Sequence, residues 1–150
     1  MALWKKILCP VDLSDVSKQA LRYAGRICRE TDAHLLVLYV LEPMANPGNL
    51  TFRPVTITDL EEQLVEHARN TVEGLVGGMG LGPDAVTTGV QKGVASVEIV
   101  RAAEEEGVDL IVMGTHGLTG ISHVLLGSTA ERVVRKAPCP VLTIKRSGET

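Results

Sequence analysis

The chain predicts an open α/β fold, a parallel five-stranded sheet covered by helices on both faces in three layers. Two observations predict it. Short apolar runs alternate with segments of helical period in the order βαβαβαβαβ, and such alternation gives parallel strands joined by right-handed crossovers. The runs are also apolar on successive residues, as strands buried on both faces must be. The 150 residues read as one domain, 1–150.

Each element has its own signal. "KKILCPVD" is an apolar run closed by Pro10 and Asp12, and reads as the first strand. "SDVSKQALRYAGRICRET" follows as a helix. Its Val16, Ala20, Leu21, Ala24, Ile27 and Cys28 share one face, and Ser14 or Asp15 caps it. "HLLVLYVLE" is the second strand, and "PMANPGNLTFRPVTI", with three prolines and no period, is a long loop. "TDLEEQLVEHARNTVEGLVGG" is the second helix, with Thr58 and Glu61 as a capping box. Leu60, Leu64, Ala68, Val72 and Leu75 form its apolar face, and glycines 77, 78 and 80 end it.

"AVTTGVQKG" is the third strand. A third helix is expected around Val94 to Glu106, with Val97, Val100 and Ala103 or Ile99 inward. "DLIVMG" is the fourth strand. Ser128 to Lys136 is the fourth helix, with Ser128 and Glu131 as a second capping box, and "CPVLTIK" is the last strand.

Composition narrows the function. A net charge of −3 argues against general affinity for nucleic acid or an acidic membrane. The longest apolar stretch, Leu35 to Leu41, is too short to span a bilayer. The start of the chain does not read as a signal peptide, because Pro10 and Asp12 break its apolar run. Three cysteines, Cys9, Cys28 and Cys139, without a CxxC spacing fit free thiols in a reducing cytoplasm.

The chemistry concentrates in "VMGTHGLTGISHVLLGSTAERVV", Val112 to Val134. Gly114, Gly117, Gly120 and Gly127 fall in one connection that leaves the carboxyl end of the fourth strand and enters a helix. In open α/β sheets this is where ligands bind. Glycines let a ligand approach the backbone, and Ser128 and Thr129 put hydroxyl donors beside the N–H groups of a helix N-terminus, which favours phosphate. The other nucleotide and nucleophile motifs are absent: no GxxxxGK[ST], no GxGxxG after the first strand, and no G-x-S-x-G elbow. "DLSD", Asp12 to Asp15, lacks the spacing of an aspartyl phosphotransferase.

Gly114, Gly117, Gly127 and Ser128 stand in the pattern Gly-x2-Gly-x9-Gly-[Ser/Thr]. With "ILCPVDLSDVSKQALRYA", "DLIVMGTHG" and "GSTAERVVRKAPCPVLTIK", the chain resembles the ATP-binding branch of the universal stress protein family over nearly its whole length, with Pro43 to Val55 the least similar. The resemblance implies a Rossmann-like sheet in the order 3-2-1-4-5. It implies that Pro10, Val11 and Asp12 meet adenine and ribose, with Val40 as an apolar wall beside adenine. Met113 and Gly114 would lie under the nucleoside, and Gly117, Gly127, Ser128 and Thr129 would cradle the phosphates. The Asp12 carboxylate would accept from ribose hydroxyls or hold a divalent ion, Mg²⁺ or Mn²⁺, with ATP or AMP as the expected nucleotide. His116 and His123 lie in the same connection, within reach of a phosphate, but such histidines are more often solvated loop residues and are kept outside the core site.

Three functions compete: a nucleotide-binding regulatory protein of the stress response, a slow ATPase or self-phosphorylating enzyme, and an interaction module with a structural nucleotide. Turnover is disfavoured because the glycine connection holds no lysine. In the order 3-2-1-4-5, Val141, Leu142, Thr143 and Ile144 form a bare apolar edge, so a homodimer through the last strand is expected. A regulatory protein partner is also allowed for.

Overall fold

The computed structural model of the protein describes residues 3–42, 57–116 and 126–146. Five strands, β1 (Lys6–Val11), β2 (His34–Leu41), β3 (Val86–Lys92), β4 (Leu110–Gly114) and β5 (Val141–Ile144), form one sheet in the order β3-β2-β1-β4-β5. All four pairings are parallel. The helices are α1 (Asp15–Thr31), α2 (Ile57–Gly77), α3 (Ala95–Glu105) and α4 (Ser128–Lys136). The expected fold class and strand order are both present.

The strands alternate to build two cores. Ile7, Cys9 and Val11 of β1 join Leu35 and Val37 of β2 on one face, beneath Ala20, Leu21, Ala24 and Cys28 of α1 and Val72 of α2. Leu8, Leu38, Ile111 and Met113 point to the other face, against Ile99 and Ala103 of α3 and Ala130 and Val133 of α4. This two-sided burial is why the strands carry unbroken aliphatic runs. β1 and β4 lie side by side at the point where the chain order reverses.

The helix ends differ from the expectation at two places. Ser14 caps α1 as predicted, its Oγ accepting from Ser17 N at 3.2 Å. α2, however, begins at Ile57, one residue before Thr58, so Thr58 lies within its first turn. At α4 the N-cap is Gly127, in extended conformation (φ −67°, ψ 166°), and Ser128 is the first helical residue; the Ser128–Glu131 capping box does not form. Glu131 instead pairs with Arg135 one turn on.

Two apolar faces each lose one residue of their sequence reading to solvent. In α3, Ile99 and Ala103 are buried while Val97 is exposed. In α2, Ala68 and Val72 are buried while Leu64 is exposed. A 3-10 turn at Pro83–Ala85 precedes β3 and carried no signal of its own. The proline-rich loop of the sequence reading spans residues 43–57; 43–56 lie outside the described residues, and Ile57 is instead the first residue of α2.

Candidate functional site at the β1/β4 switch point

A cleft of about 610 Å³ opens at the carboxyl ends of β1, β2 and β4. That volume suits a small-molecule ligand. Pro10, Val11, Asp12, Val40, Met113, Gly114, Gly127, Ser128 and Thr129 all line it. Gly117, the tenth residue singled out in the sequence, lies outside the described residues.

The β1–α1 turn holds Asp12 in one pose. Its Oδ1 accepts from Ser14 N at 3.0 Å and from Ser14 Oγ, while its own N–H donates to Ser17 Oγ at 3.3 Å. Between them Leu13 takes φ 69° and packs against the α1-side core. A bulky residue in the left-handed region costs about 1–3 kcal/mol and persists only where its surroundings over-determine it. The turn that aims Asp12 is therefore built at a cost.

Opposite stands the start of α4. The Gly127 N–H donates to Thr115 O at 2.7 Å, and the first intrahelical bond runs from Glu131 N to Gly127 O. The N–H groups of Ser128, Thr129 and Ala130 thus precede the helical ladder. The N-cap residue here, Gly127, has no side chain with which to cap this end, in contrast to Ser14 at α1. All three residues line the cleft.

The two glycines present serve packing as well as access. A Cβ on Gly127 would sit 3.2 Å from Thr115 O and 3.6 Å from His116 Cα. One on Gly114 would sit 3.1 and 3.2 Å from the two Cγ atoms of Val16. Gly127 needs no left-handed conformation; it is glycine because the end of β4 passes so close.

Several cleft residues lie outside the set singled out in the sequence. His116, read as a solvated loop residue, lies on the wall, its Nδ1 3.0 Å from Oγ1 of the buried Thr115. His123 is outside the described residues. Ser17, Tyr39, Glu42 and Ala95 also line the cleft. Glu42 and Thr115 directly follow strand ends, and that position was the available signal. Ala95 was obscured by the uncertain start of α3. Among the described residues, no Lys or Arg lines the cleft and no group of three or more His, Cys, Asp or Glu forms a metal cluster. None of the described helices is long and apolar enough to cross a membrane.

The free cysteines stand away from this chemistry. Burial raises the thiol pKa of all three, that of Cys28 to about 11. Cys9 and Cys28 are core groups, and neither lines the cleft.

The Universal stress protein family model matches residues 3–145. Universal stress protein MJ0531 of Methanocaldococcus jannaschii is 39% identical over 147 residues, covering 96% of this chain and 84% of the relative. A solved structure of protein MJ0577 from the same organism superposes with a TM-score of 0.82 at 32% identity, over 97% of this chain and 99% of that one. A universal stress protein from Archaeoglobus fulgidus in complex with dAMP shares the fold, with a TM-score of 0.64 at 24% identity over 97% of this chain and 100% of that one. The strand order, the glycine spacing and the match over 3–145 agree, and the chain belongs to the universal stress protein family.

Proposed function

We propose that the protein binds ATP in the β1/β4 cleft and acts as a regulatory module of the stress response. The observation that carries this reading is the N-terminus of α4, which its N-cap residue Gly127 leaves without a side-chain cap and whose first residues, Ser128, Thr129 and Ala130, line a cleft that also holds Asp12. Leading N–H groups and the helix dipole favour phosphate there. In this reading Pro10, Val11, Val40 and Met113 receive the nucleoside, and Gly117, Gly127, Ser128 and Thr129 receive the phosphates.

A divalent ion fits the donor set as a companion of the phosphates. Mg²⁺ commonly uses one or two carboxylates, phosphate oxygens and water. In this reading Asp12 holds the ion, which would neutralise phosphate charge that no Lys or Arg meets among the described cleft residues. The glycine connection, Gly114 to Gly127, contains no Lys or Arg to stabilise charge at a transferring phosphoryl group, which weighs against efficient phosphoryl transfer. Slow hydrolysis or self-phosphorylation is the lesser reading.

The test is calorimetric titration of the protein with ATP, with and without Mg²⁺, together with acid extraction and mass spectrometry of any co-purified nucleotide. Saturable one-to-one binding supports the reading. Purified protein that neither carries nor binds an adenine nucleotide refutes it.

A further inference from the structure

Two helix N-termini face the same cleft. Ala95 begins α3 on one side, and Ser128 begins α4 on the other; both line the cavity. Neither has a side-chain cap from its own N-cap residue, Val94 or Gly127. Each end carries leading N–H groups and partial positive charge. Helix geometry alone would let a phosphate chain enter at either end.

One residue separates them. Glu42 follows β2, and its Oε1 accepts from Ala95 N at 2.9 Å, across 53 positions of chain. Gly93 holds the two segments together: its N–H donates to Leu41 O at 3.0 Å, and its φ of 144° turns the chain from β3 into α3. A charge-assisted bond of this kind therefore occupies the leading N–H of α3 with a carboxylate. Glu98, in the first turn of α3, adds a second negative charge at that end, partly offset by Arg101. At α4 the first-turn carboxylate, Glu131, is paired with Arg135 and does not line the cleft. The other ionisable side chains on the described wall are Asp12, Tyr39 and His116.

We infer that Glu42 is the residue that sets the polarity of the bound nucleotide. This rests on the nucleotide reading above. Its carboxylate repels phosphate from α3 and leaves α4 as the only open anion-binding end among the described residues. The β2–α3 end then takes the base, where a carboxylate accepts from ring or amino N–H groups. Glu42 is thus a specificity determinant: it selects ligands with a donor-bearing base at one end and phosphate at the other, and it rejects simple polyphosphates that could bridge both helices.

Glu42→Gln keeps an oxygen acceptor for Ala95 N and removes the charge; Glu42→Asp keeps the charge on a shorter arm. Calorimetry with ATP and with inorganic triphosphate, on the wild type and both variants, reads the effect. Glu42→Gln is expected to bind triphosphate about three- to fivefold more tightly than the wild type, the scale of one charge at a helix end; Glu42→Asp is expected to stay near the wild type. Unchanged or weaker triphosphate binding by Glu42→Gln overturns the inference. A direct check is manganese-ATP as a relaxation probe in the wild type. Amide signals of 128–130 should broaden more than those of 95 and 96, and the reverse order would overturn the inference even if ATP binds. A wild type that binds no ATP removes the nucleotide reading itself, and the inference with it. Glu42 is exposed, so folding of the variants is checked simply by melting temperature.

Discussion

Thr115 and Gly127 are joined by a 2.7 Å hydrogen bond from the Gly127 N–H to the Thr115 carbonyl. Thr115 N in turn donates to Ile144 O at 2.9 Å. One buried residue therefore ties the start of α4 to the end of β4 and to the edge strand β5. The bond fixes the two ends of the glycine connection, so the N-terminus of α4 has a defined position relative to Asp12.

That arrangement makes Ser128→Glu a sharper test of the cleft than Gly127→Val, because a side chain at Gly127 also strains the Thr115 contact. Ser128 is exposed at the first helical position. A carboxylate there suits the helix dipole, so stability should hold or rise by about 0.3–1 kcal/mol. ATP affinity should fall roughly tenfold or more through charge repulsion. Calorimetry and thermal melts measured together decide it; full ATP affinity in Ser128→Glu would rule out phosphate at this helix end.

Gly114→Ala should destabilise the fold by about 1–3 kcal/mol through overpacking. The new methyl would meet Val16, which is fully buried in α1. Val16→Ala made with it should recover part of that loss, giving a favourable coupling of about 0.5–3 kcal/mol in a double-mutant cycle. Additive effects in urea denaturation would show that the two side chains do not meet.

Stability should fall as pH rises from about 9 to 11. Cys28 is protonated up to about 11 in the fold because burial disfavours its thiolate, and Cys9 is shifted in the same direction. The unfolded chain loses these protons near pH 9, so it binds fewer protons than the native state across this window. Stability is therefore fully present below pH 9 and declines at up to about 1.4 kcal/mol per pH unit for each thiol. Denaturation at pH 8, 9 and 10 checks this, and Cys28→Ala should flatten the slope; equal slopes in both proteins would contradict it.

A homodimer through β5 should depend on alternate backbone positions. Pro140 O accepts from Ile111 N of β4, and Ile144 O from Thr115 N just past the end of that strand. Residues 140, 142 and 144 thus face β4, and the N–H groups of Val141 and Thr143 point outward. Val141→Pro and Thr143→Pro should give folded monomers, whereas Leu142→Pro and Ile144→Pro should damage the sheet itself. Sedimentation equilibrium reads the assembly and circular dichroism the fold. A wild type that sediments as a monomer would dismiss this interface.

The aliphatic runs and helical periods, together with the family resemblance, anticipated five strands, four helices and the order in which the strands lie. Such patterns are legible because burial on two faces, or on one helical stripe, acts on every residue of an element. Nine of the ten singled-out site residues meet at one cleft, because the ends of β1, β2 and β4 and the start of α4 converge at the switch point. Gly117 lies outside that description.

What the sequence by itself determined was the element order and the neighbourhood of the site, both written in local periodicity and in the spacing of Gly114, Gly127 and Ser128. Tertiary structure alone decided which of two adjacent residues caps α4, since Gly127 and Ser128 differ only in where the Thr115 carbonyl pins the chain. It decided that Val97 faces water and Ile99 the core, since α3 must pack against both α4 and β2. It also placed Glu42 on Ala95 and Val16 on Gly114. Contacts between residues so far apart in the chain leave no local pattern, because only the packed sheet brings their elements within bonding distance.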